Sequence, residues 1–226
     1  GVFFMNKHER LKQLVQKYKH AWVFLYGFIY MPWFLWLEHH VTTDYHVIHS
    51  ALDDKIPFLE VFIIPYLLWF VFIAAVVLYF FFTDVPGFYR LCTMLFTGMT
   101  IFLIISTLFP NGLALRPTVF ERDNIFVHLV QFVYRADTST NVFPSIHVYN
   151  SLAACVAISH SEAFKKHKAL TMGSYILAAS IILATMFLKQ HSVIDVSGAF
   201  VMAYAVYQFV YAPSARKVPK LSRQPV

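Results

Sequence analysis

Long apolar runs broken by short polar segments set the pattern of this chain, and their length suits a lipid bilayer. The runs cover residues 21–37, 57–83, 88–109, 142–160, 169–188 and 193–211. A helix rises ~1.5 Å per residue, so even the shortest run reaches about 26 Å, near the thickness of a hydrocarbon core. Six spans are predicted. The second carries Glu60 near its outer end and the fourth carries Asn150 and Ser151, so neither faces lipid all round. Ahead of them, Leu11, Leu14, Val15 and Tyr18 share one helical face among basic residues. That spacing predicts an N-terminal amphipathic helix lying on an anionic membrane surface. The chain divides into a basic amphipathic segment (1–20), a six-span membrane domain (21–211) and a basic tail (212–226), expected to be cytoplasmic.

Composition agrees with this division. Of the 226 residues, 58% are hydrophobic and 13% charged, against roughly 25% charged in soluble chains. Disorder needs low hydrophobicity and high net charge, and is excluded. With 7 Gly and 2 Cys, collagen-like and disulfide-stapled folds are excluded too. The fold class is all-α, a polytopic membrane protein. A net charge of +6 would suggest nucleic acid in a soluble domain; here it reports cations flanking the spans, and no nucleic-acid partner is expected. With the N-terminus inside, Lys7, Arg10, Lys12, Lys17, Lys19, Arg90, Lys165, Lys166, Lys168, Arg216, Lys217, Lys220 and Arg223 fall on the inner side. Only Lys55, Arg116, Arg122, Arg135 and Lys189 fall outside. That asymmetry predicts both termini in the cytoplasm. Cys92 and Cys155 lie in apolar runs and are expected as free thiols.

The reactive side chains gather in three outer segments. Asn111 to Pro117, with Arg116, is followed by Arg122-Asp123-Asn124; Phe143-Pro144-Ser145-Ile146-His147 opens the fourth span; Lys189-Gln190-His191 precedes Asp195 at i+4. Pro144 suits a first helical turn, which would put Ser145 and His147 among free amides and a dipole that attracts anions. His191 and Asp195 share a helix face, where a carboxylate can fix the imidazole tautomer and leave the other nitrogen reactive. Arg116 and Lys189 add positive charge, and arginine can grip phosphate bidentately. Together these residues describe a phosphoryl-transfer site without metal. A His–Asp pair at i, i+4 can also be a plain surface pair, and ions at span ends can be interfacial anchors. Convergence of three segments on one face favours the site.

Two other readings stand beside it. His39, His40, His46 and His49, with Glu38 and Asp44, could ligate zinc; in a wet outer loop they read better as interfacial, and no metal or cofactor is assigned. A lipid transporter would carry polar residues at the bilayer midplane, whereas here they collect at one surface.

The three segments resemble the type-2 phosphatidic acid phosphatases, or lipid phosphate phosphatases, which carry K-x6-R-P, P-S-G-H and S-R-x5-H-x3-D on a six-helix core. Arg116-Pro117 matches the end of the first motif, Pro144-Ser145-Ile146-His147 the second with Ile for Gly, and His191-Ser-Val-Ile-Asp195 the end of the third. The family Lys falls on Phe109 and the family Ser-Arg on Ala184-Thr185. Lys189 and Arg122 are the candidate replacements. The resemblance implies a membrane lipid phosphatase acting through a phosphohistidine on His191, oriented by Asp195, with His147 as acid and base. Arg116, Ser145, Lys189 and Arg122 would bind phosphate. Its substrate would be a lipid phosphate monoester or diphosphate among membrane lipids, met on the extracytoplasmic face of a bacterial plasma membrane. Ile146 is also similar to the inositol phosphorylceramide synthase branch, which transfers a headgroup to a lipid alcohol; dephosphorylation is preferred over transfer.

Overall fold

In the computed structural model residues 7–212 are described. The tail expected at 212–226, with Arg216, Lys217, Lys220 and Arg223, lies outside the described residues apart from Ala212. Among the described residues the chain is helical almost throughout: α1 (Lys7–Lys17), a 3-10 stretch (Lys19–Tyr26) leading into α2 (Gly27–His40), α3 (Ile63–Thr83), α4 (Val85–Leu108), α5 (Ile125–Ala136), α6 (Ile146–Ser159), α7 (Glu162–Lys166), α8 (Lys168–Phe187) and α9 (Val193–Val210). Apolar side chains of α1 stay exposed, including Leu11, Leu14 and Val15, as an interfacial helix requires.

Among the described residues five stretches are long and apolar enough to cross a membrane: Lys19–His40, Glu60–Thr83, α4, α8 and α9. The sixth expected span is shorter. Its helix, α6, has 14 residues, or about 21 Å. The expected span began at 142, but residues 142–145 are not helical. Asn111, fully buried, uses its Oδ1 to accept the Val142 and Phe143 amides, both at 2.9 Å. Those two amides therefore serve a loop anchor instead of a helix. A further correction is α5, a helix where only an outer loop was expected. Asn124 caps it, accepting from the Phe126 and Val127 amides at 3.0 Å, and Val127, Val130 and Val133 bury one face.

The bundle is built around α6, which packs against α3, α4, α8 and α9; α2 leans on α4 from the side. Close approach of α6 to α4 depends on Gly98, where an added Cβ would lie 2.0 Å from the Tyr149 ring. The Tyr149 hydroxyl then donates to the Met94 carbonyl at 2.6 Å, so this buried hydroxyl is satisfied. At one end of the bundle α3 turns directly into α4, with Asp84 capping the Gly87 amide at 2.9 Å. At the other end β1 (His46–Val47) and β2 (Asn111–Gly112) form a parallel ladder, and Gly112 also bridges Thr140. Three loops are thus sewn together by backbone over that end of the bundle.

Candidate active site

The two site histidines come from different helices and meet at that end. His147 sits in the first turn of α6 with its ring 5.6 Å from the His191 ring, centre to centre. Two aromatic rings of α3 flank His147, Tyr66 at 4.9 Å and Trp69 at 4.5 Å. The Trp69 indole also donates to the His147 carbonyl at 3.1 Å, so both ring and backbone are held. One detail differs from expectation. Ser145 is the N-cap of α6, with extended backbone and its side chain accepting from the Val148 amide. Pro144 therefore precedes the cap and lies outside the first turn, after a cis Phe143–Pro144 peptide.

His191 is placed by the turn between α8 and α9. Thr185, fully buried, offers one carbonyl to the amides of both Gln190 and His191, at 2.9 and 3.0 Å. Lys189 takes positive φ to make that turn. Then Ser192 caps α9 in a capping box with Asp195, whose Oδ2 accepts the Ser192 amide at 2.8 Å. The same Oδ2 lies 3.4 Å from His191 Nδ1. His191 is 8% exposed and Asp195 fully buried; His191 Nδ1 and Asp195 Oδ1 have no hydrogen-bond partner. Nε2 is the ring nitrogen remote from the carboxylate.

The four expected phosphate binders are disposed very differently. Ser145 is buried at the α6 cap, and its amide donates to the Asp195 carbonyl. Arg116 reaches the site, but its guanidinium donates to the carbonyls of Tyr134, Asp137 and Thr138 at 3.1, 2.8 and 2.7 Å, and to Gln190 Oε1 at 2.5 Å. It also lies over the Tyr134 ring. Lys189 turns to the first outer loop, donating to the Asp53 and Ile56 carbonyls at 2.7 and 2.5 Å. Arg122 pairs with Glu60 at 2.9 Å. Ile146 points into an apolar cluster with Leu37, Val41, Phe102 and Leu103, so its bulk packs the helix instead of crowding the histidines. Phe109, at the family Lys position, stacks on His46 at 4.6 Å. Thr185, at the family Arg position, bonds its own helix through Oγ1.

One group at this end, Asp137, went unnoticed in sequence, and Glu38 was read there only as a possible zinc ligand. Asp137, just past α5, faces Arg116, Glu38, His191 and the Tyr66 hydroxyl. Burial pushes its carboxyl above the usual range, against the pull of Arg116. Burial likewise pulls the Arg116 and Lys189 cations down, with Asp137 opposing at Arg116 and Asp53 at Lys189. Glu38 of α2 accepts from Thr138 Oγ1 and Asn141 Nδ2 at 2.5 and 2.8 Å. The signal for Asp137 would have been an acidic residue one step past a capped amphipathic helix. The histidines of the first outer loop are scattered among separate partners: His40 on the Trp36 carbonyl, His46 on Phe109 and His49 on Asp54. Among the described residues no group of three metal-ligating side chains converges.

Comparison with known proteins adds one finding. A family model described as the PAP2 superfamily matches residues 114–218, a stretch that holds Arg116, His147, His191 and Asp195. No curated protein and no solved structure matches the chain.

Proposed function

From the match of residues 114–218 to the PAP2 superfamily model, we propose that this chain belongs to that superfamily and is an integral membrane enzyme cleaving the phosphoester of a membrane lipid. Superfamily membership supports phosphatase or phosphotransferase chemistry in general. The observation that carries the finer reading is the pair of imidazoles with centres 5.6 Å apart, one of them 3.4 Å from a buried carboxylate. His191 Nε2 attacks phosphorus, and the bond to the leaving alcohol breaks as His147 gives that oxygen a proton. Water then attacks the phosphohistidine, the P–N bond breaks, and His147 recovers a proton from the water. Amides at the start of α6 and the inner face of Arg116 stabilise the extra charge in flight. The site lies on the extracytoplasmic face of the membrane, following the basic-residue asymmetry of the loops.

A second reading, transfer of a headgroup from one lipid to the hydroxyl of another, draws on a specific observation. Arg116, Lys189 and Arg122 are each bound to other acceptors, while Asp137 and Glu38 stand beside Arg116. A site so short of free positive charge suits a singly charged phosphodiester better than a doubly charged monoester. The test supplies phosphorus-labelled phospholipid to purified protein with and without diacylglycerol or ceramide. Release of inorganic phosphate at the same rate either way supports hydrolysis. Label that stays in lipid, with no free phosphate, replaces it with transfer. His191→Ala protein that still turns over removes both.

A further inference from the structure

The N-terminal turn of α9 carries more carboxylate than its capping needs. Ser192 and Asp195 already close a capping box. A third side chain, Asp53, arrives from the first outer loop and is 2% exposed. Its Oδ2 accepts the Ser192 hydroxyl at 2.6 Å and the Ser50 amide at 2.8 Å, and its Oδ1 accepts the Val193 amide at 2.9 Å. Lys189 clamps the same loop through the Asp53 and Ile56 carbonyls.

The Ser192 hydroxyl proton is the atom that matters. Ser192 Oγ accepts from the Ile194 amide at 3.1 Å and takes part in the capping box, so its own proton has to be donated elsewhere. Two carboxylates are near enough to take it. One is Asp53, which does. The other is Asp195, whose Oδ2 already touches the Ser192 amide at 2.8 Å, so a χ1 rotation would bring the hydroxyl to it. Because Asp53 takes the proton, Asp195 Oδ2 accepts only the Ser192 amide and stays open to His191 Nδ1, 3.4 Å away and without another partner. A buried ring nitrogen with no other partner finds its recourse in the carboxylate oxygen beside it.

We propose that Asp53 is a positioning residue that keeps the Ser192 hydroxyl off Asp195, reserving that carboxylate for the Nδ1 proton of His191. This rests on the reading of His191 as the nucleophile, because it sets which ring nitrogen is free to attack. Alanine at 53 would remove the acceptor of three donors, the Ser192 hydroxyl and the Ser50 and Val193 amides. Asp195 would then be the carboxylate within reach of the Ser192 hydroxyl, and would take its proton.

The test is nitrogen-15 NMR of histidine-labelled, full-length protein in detergent micelles, with the His191 signals assigned by their loss in His191→Gln. Wild type shows His191 protonated at Nδ1. Asp53→Ala loses that tautomer, and Asp53→Ala with Ser192→Ala regains it, since no hydroxyl remains to compete. Turnover of fluorescent phosphatidate follows the same order: kcat falls at least tenfold in Asp53→Ala with KM within twofold, and the double variant is the faster of the two. A loop staple alone would make the double variant worse than either single change. An unchanged tautomer in Asp53→Ala, or a double variant that does not recover, overturns the proposal. Should Asp53→Ala not fold, Ser192→Ala alone decides: retention of the Nδ1 proton supports the proposal and its loss overturns it. Normal turnover in His191→Ala would defeat the catalytic reading while the tautomer pattern still judges the part played by Asp53.

Discussion

The backbone amide of Ser145 donates to the carbonyl of Asp195 at 3.2 Å, so the first turns of α6 and α9 are joined through main chain. The two histidines therefore sit on helices registered to each other at the working end, and neither can move alone without breaking that bond. Rate should be sensitive to small displacements here. His191→Ala is expected to abolish covalent phosphoenzyme, and Asp195→Asn to lower kcat by roughly 10²–10⁴-fold, as in triads where a carboxylate holds the imidazole. Acid-labile phosphoprotein after a labelled-lipid pulse, with kcat measured beside it, checks both. Full activity in Asp195→Asn would leave the pair with a capping role only.

Arg116 gathers the end of α5 and the α8–α9 turn into one knot. Removing its guanidinium leaves three carbonyls and Gln190 without their donor, and each buried acceptor so stranded costs about 1–3 kcal/mol. Arg116→Met should thus lose stability as well as turnover, by about 3 kcal/mol in all once partial relaxation is allowed. Lys189→Met loses two loop carbonyl bonds at a more exposed place and should cost less. Thermal melts in detergent, compared with kcat on the folded protein, separate the two residues.

The pH dependence turns on Asp137. Its carboxyl is pushed up by burial more than Arg116 pulls it down, so the folded protein holds this proton more tightly than the unfolded chain does. Stability from this group is present at low pH and is lost as pH rises through the carboxylate range. Asp137→Asn should accordingly melt higher than wild type at pH 8, and the gap should close as the solution is made acid. A gap that widens on acidification would show that Arg116 dominates.

The orientation of the bundle can be read with added cysteines. Phe120→Cys should be modified by an impermeant maleimide from outside intact cells, and Lys165→Cys only after permeabilisation. The reverse pattern would invert the protein and place the histidines on the cytoplasmic face.

Much of this was legible along the chain because bilayer-length apolar runs and a His-x3-Asp pair are local signals. Apolar periodicity revealed the bundle, and motif order brought Arg116, His147, His191 and Asp195 to one end. The partners of cations were not legible. Lys189 and Arg122 sit on the expected face, yet a flexible cation goes to whichever acceptor the fold brings near, and here those are loop carbonyls and Glu60. Asp53 escaped notice for the same reason, being 139 residues from Ser192. The fourth span looked longer than its helix because Val142 and Phe143 are apolar, and nothing in that run shows that Asn111 claims their amides.

The shortness of α6 has a consequence for the lipid itself. A helix of 14 residues rises about 21 Å, some 9 Å less than a typical ~30 Å hydrocarbon layer. Were the Ser159 end of α6 to sit at one membrane boundary, His147 would lie beneath the headgroup plane of the other leaflet. The substrate would then have to sink, or the leaflet to dimple, before phosphorus could meet His191. Membrane thickness then becomes a control on rate: in vesicles of matched headgroup, kcat/KM should be higher with short-chain than with long-chain phosphatidylcholine as the host lipid. Rates that ignore chain length would mean that the outer helix α5 and its loops carry the headgroup down unaided.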